Sequence, residues 1–473
     1  MERIKSFGDQ LAEDFPELAR ETGLTRTITF QVTDSCNLAC SYCYQINKGT
    51  RVMDFSVAKK FIDELLTEGT SINAYTNKDN SLGLIVEFIG GEPLLEVDLI
   101  DQIVDYLREQ LMILNHPWQH RFCLSMASNG TLYFTEKVQK FLQKNYDVLS
   151  LSITVDGTKE LHDSCRRFPD GKPSYDLAHA AAQDWIKRGY KMGSKITLAP
   201  ANVQYMSECL QTMIADGYDE ILMNTVYEKG WEVEHATEIY NQTKAFTAWL
   251  LDNFDPHKFT CSFFDPICGK PQSPESNNNW CGGVGYMLGV DPDGFLYPCI
   301  RYMESSIGND QLPFRIGNVY DGLYTKPEEC ERRDCMECVT RRSQSSDQCF
   351  YCPISTSCGW CSAYNYQVTG TINKRVTYNC IVHKARVLSS IYFWNTIHQH
   401  FPDIEAVDMW IPESWAVPII GNEDYQFLVN LTEACGKFVN RVDGNKVVID
   451  RPLSLLDSYE NVLEEVTYEE TDN

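Results

Sequence analysis

The chain has 473 residues, 43% of them hydrophobic and 12% aromatic, enough to fill two or three globular cores and to exclude a disordered or fibrous protein. Its 41 basic against 66 acidic side chains give a formal charge of −25, which repels phosphate backbones and argues against a nucleic-acid partner. No stretch approaches the roughly 20 apolar residues of a membrane span, and the N-terminus lacks the apolar core of an export signal, so a cytoplasmic protein with no membrane partner is expected.

Residues 1–26 read as an N-terminal extension. From 27 to about 225, β-branched or apolar runs alternate with amphipathic stretches. Strands are predicted around 28–32 and over 84–90, 122–128, 151–156, 195–199 and 220–224. Between them, segments such as FSVAKKFIDELLTEG repeat apolar residues at helical spacing, here Phe55, Phe61, Ile62, Leu65 and Leu66. Six β/α units predict an α/β fold, a partial (β/α)6 barrel over 27–255 whose chemistry gathers at the strand C-terminal ends. Six units are fewer than the eight of a closed barrel, which leaves a gap for a large substrate. A helix is predicted over 233–253, then a cysteine-rich domain organised by metal over 256–382. Residues 383–399 read as a helix opening a C-terminal segment, 383–473, that is otherwise unassigned and ends in the acidic, solvated tail ENVLEEVTYEETDN.

Nineteen cysteines without an export signal are poor disulfide candidates, and ten of them lie between Cys281 and Cys380, which points to metal or cluster ligation. The first strand is followed by DSCNLACSYCYQ, with Cys36, Cys40 and Cys43 at C-x3-C-x2-C spacing. Three thiolates can bind three irons of a cubane and leave the fourth open to chelate the amino and carboxylate groups of S-adenosylmethionine (SAM). A zinc knuckle or plain buried thiols are the bland alternatives. Tyr42 can pack against the adenine. Further polar groups end successive strands: Gly90, Gly91 and Glu92 in IGGEP, Ser128 and Asn129 in ASNGT, and Ser152, Thr154 and Asp156 in SITVDG. Singly, each could be a strand-end cap; together they face one mouth, with Glu92 available to the amino group of SAM. The cysteine motif and these partners resemble the radical SAM superfamily, and the resemblance assigns Arg166, in HDSCRRFPDG, to the SAM carboxylate.

In CGGVGYMLGVDPDGFLYPC, the DPDG turn between apolar runs predicts a hairpin that brings Cys281 and Cys299 together. CFYCPISTSCGWC and Cys380 follow. This region resembles the SPASM domain, the auxiliary-cluster domain of radical SAM enzymes that modify peptides. The resemblance implies three [4Fe-4S] clusters in all. Cys281, Cys299 and Cys361 would hold a first auxiliary cluster; Cys349, Cys352, Cys358 and Cys380 would hold a second. Two departures stand out: Cys358 and Cys361 are separated by two residues rather than three, and no further cysteine lies between Cys281 and Cys299. The first auxiliary cluster would then keep an open iron for a substrate thiolate. Cys330, Cys335 and Cys338 could supply the missing ligand, bind zinc or stabilise a knuckle; Cys123, Cys165, Cys209, Cys261, Cys268 and Cys435 read as buried thiols.

NTVYEKGW (224–231) and YPCIRYMESS (297–306) resemble maturases of peptides with repeated Cys-x-x-x units. The resemblance implies an oxidoreductase that joins a cysteine sulfur to a side-chain carbon, an acidic residue being one candidate. Its partners would be a Cys-rich ribosomal precursor peptide and a flavodoxin- or ferredoxin-type electron donor. Ile300 follows Cys299 where sulfatase-maturing relatives carry an Asp, which argues against formylglycine formation. Only 35 residues precede Cys36, too few for a leader-binding domain, so leader recognition is expected from 400–473 or a separate protein. Carbon–carbon cross-linking, epimerisation, residue oxidation and a non-catalytic iron–sulfur carrier are the alternatives; GGEP and SNGT speak against the carrier.

Overall fold

Near-continuous apolar runs suit strands covered on both faces, and the first strands follow that rule. In the computed structural model, which describes residues 7–16, 25–77, 81–190, 193–218, 220–273, 275–278, 281–308, 310–443 and 446–448, strand β1 (Arg26–Thr33) has seven of its eight residues buried. It pairs in parallel with β2 (Leu84–Gly90), β2 with β3 (Phe122–Ser128), and β3 with β4 (Leu149–Ile153). The register places Phe30 opposite Phe88, and their rings stack at 5.6 Å while Phe61 meets Phe30 edge-on at 5.3 Å. Phe61 comes from the helix Phe55–Leu66, whose buried face is Val57, Ala58, Phe61, Ile62, Leu65 and Leu66 and whose start is capped by Asp54, accepting from the Ser56 N–H. Each such buried aromatic contributes about 1.5–3 kcal/mol.

Strands β5 (Gly193–Leu198) and β6 (Glu220–Thr225) pair in parallel with each other, but among the described residues no ladder joins β5 to β4. The Ser152 hydroxyl bridges that seam by donating to the Gly193 carbonyl at 3.0 Å. The predicted fourth strand shifts furthest: β4 runs Leu149–Ile153 rather than 151–156.

The cysteine-rich region joins the same sheet. Strand β7 (Met287–Val290) adds in parallel to the free edge of β1, with Ile28 opposite Leu288 and Phe30 opposite Val290. It turns back as β8 (Phe295–Tyr297), and β9 (Gly317–Asn318) and β10 (Gly322–Leu323) extend the sheet to the order β10-β9-β8-β7-β1-β2-β3-β4. At the far edge, Cys261 makes a parallel bridge to Ile221 of β6. Both edges of the barrel strands are therefore covered, which blunts their tendency to pair with other chains.

The helices Val233–Asn253 and Cys380–His400 pack side by side, with Phe246 and Phe393 stacked at 6.1 Å. The unassigned C-terminal segment holds a helical stretch, Glu413–Ala434, kinked at Gly421. The acidic tail lies outside the described residues. Among the described residues no helix is long and apolar enough to cross a membrane.

Candidate active site

A cavity of about 650 Å³ opens at the C-terminal ends of the barrel strands. Its first wall is the loop after β1. That loop is tied down by its neighbours: the Ala39 N–H donates to the Arg167 carbonyl at 2.7 Å, the Ser41 N–H to the Cys165 carbonyl at 3.0 Å, and Lys48 Nζ to the Leu38 carbonyl at 3.0 Å. Cys36, Cys40 and Cys43 all line the cavity, and Cys40 bears electrostatically on both of the others. Burial pushes the Cys36 and Cys40 thiols up, while Lys48 and, at Cys40, Arg166 pull them down.

The GGEP turn lies against this loop. A Cβ on Gly91 would stand 2.3 Å from the Ser35 carbonyl oxygen and 2.7 Å from the Cys36 Cβ, so only glycine fits there. Glu92, 1% exposed, accepts from the Ser128 hydroxyl at 2.7 Å, the Leu94 N–H at 3.0 Å and the Asn129 N–H at 2.8 Å. Burial pushes its carboxyl up and those three donors hold it down. The ends of β2 and β3 are thereby locked together. The Asn129 amide donates to Asn37 Oδ1 at 2.8 Å, and Asn37 donates to the Thr131 hydroxyl at 2.8 Å, which ties β3 to the cysteine loop. Asn37 and Thr131 carry no motif signal beyond their neighbours and were not expected from sequence.

Asp156 takes a different place from the one expected. It is 2% exposed and stands behind the cavity wall, where its Oδ2 accepts from Arg166 Nε at 2.7 Å and from the Tyr42 hydroxyl. The Arg166 guanidinium lies over the Tyr42 ring at 5.2 Å, and its Nη1 reaches Cys40 Sγ at 3.8 Å. Tyr42 and Arg166 line the cavity, so Asp156 aims them rather than facing the mouth. Behind Asp156, the buried imidazole of His162 accepts from the Asp156 N–H at 3.3 Å and faces the Ser174 hydroxyl at 3.0 Å. Burial pushes this imidazole down to about 4. Ser152 likewise departs from its expected position: its hydroxyl is spent on the β4–β5 seam, because β4 ends one residue later and leaves Thr154 at the mouth.

The opposite wall comes from the cysteine-rich region. Gly283 stands between two thiols, since a Cβ there would lie 3.1 Å from Cys299 Sγ and 3.6 Å from Cys281 Sγ. Cys361 opens the helix Ser362–Thr369, its sulfur accepting from the Tyr364 N–H at 3.4 Å, and it bears on both Cys281 and Cys299. Cys281 and Cys361 line the cavity together with Ile300, Arg301 and Tyr227. The Arg301 guanidinium reaches over the ring of Tyr44, next to Cys43, at 5.4 Å and lies 3.6 Å from Glu228. Tyr44, Tyr227 and Arg301 were missed by motif reading, although Tyr227 and Arg301 fall within NTVYEKGW and YPCIRYMESS.

Cys349, Cys352, Cys358 and Cys380 form a second thiol group. Burial first, and Cys349 and Cys380 after it, push Cys352 up to about 11 and Cys358 up to about 12. Arg375 Nη1 lies 3.9 Å from Cys358 Sγ. The short spacing between Cys358 and Cys361 thus separates two groups rather than confusing one. Cys330, Cys335 and Cys338 sit on the helix Pro327–Cys338, with the Cys330 thiol donating to the Tyr324 carbonyl at 3.2 Å, and none joins the cavity. Among the described residues no three His, Cys, Asp or Glu side chains stand close enough to hold a single metal ion. A cubane is larger than an ion and takes each thiolate on its own iron. All the cysteines are free thiols, as cluster ligation requires.

The thiols that line the cavity fit an iron–sulfur cluster as donors, and the chain is similar to the following known proteins. The Radical SAM superfamily matches residues 30–212. Uncharacterized protein MJ0907 of Methanocaldococcus jannaschii is 32% identical over 216 residues, 45% of this chain and just under two thirds, 66%, of that protein. The serine-type anaerobic sulfatase-maturating enzyme of Bacteroides thetaiotaomicron is 21% identical over 377 residues, covering 73% of this chain and 84% of the other. Mycofactocin maturase MftC of Mycolicibacterium smegmatis is 24% identical over 291 residues, 59% of this chain and 66% of its own length. The solved structure of anSMEcpe with bound AdoMet and Cp18Cys peptide superposes with a TM-score of 0.56 at 17% identity, over 80% of this chain and 99% of that one. That likeness is one of fold.

Proposed function

Since the chain carries a radical SAM domain over residues 30–212, we propose that it is a peptide maturase that joins a cysteine sulfur to a side-chain carbon of a ribosomal precursor peptide. The observation that carries this reading is one cavity with Cys36, Cys40 and Cys43 on one wall and Cys281 and Cys361 on the other. A thioether needs a carbon radical and a thiolate in the same space, and the radical attacks whatever is nearest, so both must be held close and dry.

In this reading Cys36, Cys40 and Cys43 hold the cluster that binds SAM. Cys281, Cys299 and Cys361 hold a first auxiliary [4Fe-4S] cluster, and Cys349, Cys352, Cys358 and Cys380 a second. When bound, these groups supply one-electron cleavage of SAM, hydrogen abstraction by the 5′-deoxyadenosyl radical, and a sink for the electron released as sulfur bonds to carbon. The protein's own residues set the geometry. Asp156 holds Arg166 and Tyr42 against Cys40, where the guanidinium can take the SAM carboxylate. Glu92 fixes the ends of β2 and β3 beside Cys36 and presents a carboxylate to the SAM amino group. The sulfatase-maturating and mycofactocin-maturase relatives support a maturation reaction. Ile300 puts an apolar side chain on the cavity wall beside Cys299, which favours bond formation over base-assisted oxidation there.

The test is anaerobic incubation of reconstituted protein, SAM and dithionite with a Cys-rich precursor peptide, read by tandem mass spectrometry. The expected product is lighter by two hydrogens and has one free thiol fewer. Two hydrogens lost with every thiol intact would replace the thioether with a carbon–carbon link or an oxidation, and unchanged mass with an inverted residue would mark epimerisation.

A further inference from the structure

Beside the thiols of the first auxiliary group the chain buries a hydroxyl that the protein itself does not satisfy. Tyr302 is 0% exposed, and its hydroxyl has no hydrogen-bond partner among the described residues. A short 3-10 turn, Ile300–Tyr302, follows Cys299 directly, with the Tyr302 N–H donating to the Cys299 carbonyl at 3.1 Å. The ring is fixed by Phe314 at 4.9 Å and Tyr366 at 6.3 Å. Cys299, Cys281 and Cys361 all act electrostatically on the hydroxyl. Ser362 is also near enough to pull the hydroxyl down, but it forms no hydrogen bond of ordinary length and angle with it, and its Oγ lies 3.1 Å from Cys281 Sγ.

Cys281 and Cys361 are lined up on the cavity, whereas Tyr302, Ser362 and Cys299 are not among its walls. The thiol group therefore has a cavity side and a protein side, and the hydroxyl is on the protein side. A buried donor without an acceptor costs free energy in the bare chain, and the cost disappears when a group carrying acceptor sulfurs fills the space between the thiols. We propose that the Tyr302 hydroxyl donates a hydrogen bond to a sulfur of the first auxiliary cluster, from the face opposite the cavity, and so raises that cluster's reduction potential. A donor stabilises the reduced, more negative state more than the oxidised one. The inference rests on the reading that Cys281, Cys299 and Cys361 hold that cluster, and it leaves the cavity-facing side free for substrate.

The test places Tyr302→Phe in a full-length Cys36→Ala/Cys40→Ala/Cys43→Ala background, so that the remaining signals are auxiliary. Iron content and an EPR-monitored redox titration are compared with the background alone. The expected result is equal iron, one auxiliary component shifted to lower potential by about tenfold in its redox equilibrium, about 59 mV for one electron, and the other component unmoved as an internal reference. The bare Tyr302→Phe chain should unfold no more readily than its parent, since it loses only an unsatisfied group. Replacing Tyr302 by 3,5-difluorotyrosine, a stronger donor of the same shape, should move the same component upward, and this measurement stands if the Phe variant fails to assemble. Unmoved potentials with full iron overturn the hydrogen bond but leave the cluster reading in place. A background protein without auxiliary iron overturns that reading itself.

Discussion

Gly91 shows how a single missing Cβ can decide whether the site forms. The carbonyl of Ser35 and the Cβ of Cys36 occupy the space a side chain would need, and backbone cannot yield as a flexible side-chain tip can. Gly91→Ala should therefore push the cysteine loop away from β2. The expected outcome is a folded chain whose iron content falls by the share of one cluster and whose reductant-dependent 5′-deoxyadenosine formation drops at least about tenfold, a loss of roughly 1.4 kcal/mol in the barrier. His162 acts at the same scale through pH. The unfolded imidazole takes up a proton near pH 6.5, but the folded one, buried against the Asp156 N–H and Ser174, does so only near 4. Falling pH therefore pulls the chain toward the unfolded, protonated state throughout that window. The stability present above pH 6.5 should decline by up to about 3 kcal/mol as pH approaches 4. Thermal melts of the bare protein across that range check the slope, and His162→Gln should flatten it.

Among the elements, the β7–β8 hairpin links the barrel to the second wall, because β7 pairs with β1 while β8 leads into Cys299. Its turn is organised by Asp291, which accepts from the N–H groups of Asp293 at 3.0 Å and Phe295 at 2.9 Å and from the Tyr297 hydroxyl at 2.9 Å. Asp291→Ala leaves the buried Tyr297 hydroxyl and two turn amides without this acceptor, a cost of about 2–4 kcal/mol by the usual range for such groups. The expected readouts are a lower melting temperature and reduced auxiliary iron, with the SAM-site cluster retained. This hairpin was legible in advance because DPDG is a local signal, and so were β2 and β3, bounded by Gly and Ser-Asn turns. The addition of β7 to β1 was not, because it joins residues some 260 positions apart in sequence. β4 was placed too late because Val155 reads as strand yet is buried outside the ladder. The grouping of Cys36, Cys40 and Cys43 was legible through short spacing and that of Cys281 with Cys299 through a turn, while Cys361 and Cys380 were grouped by resemblance alone; Asp156 standing behind the wall, and Tyr44, Tyr227 and Arg301 on it, depend on packing that no local pattern encodes.

At the scale of the whole molecule, two chemically distinct thiol groups from opposite halves of the chain meet across one space, and their tasks should be separable. Cys36, Cys40 and Cys43 are carried by the loop after β1, whose backbone ties run to the Arg167, Cys165 and Ser305 carbonyls rather than to Cys281 or Cys361. Cys361→Ala removes one thiol from the far wall, and the helix it opens keeps its backbone bond from the Asn365 N–H to the residue 361 carbonyl at 2.9 Å. Such a variant should still cleave SAM with dithionite, producing 5′-deoxyadenosine within about threefold of the parent rate, a change near 0.6 kcal/mol. On the thioether reading it should make no cross-linked peptide, since the abstracted position would find no held thiolate. Cys40→Ala should abolish both products. Chromatography of deoxyadenosine and mass spectrometry of peptide from the same reactions separate the two tasks: cross-linked product from Cys361→Ala at the parent yield would mean that the second wall plays no part in bond formation.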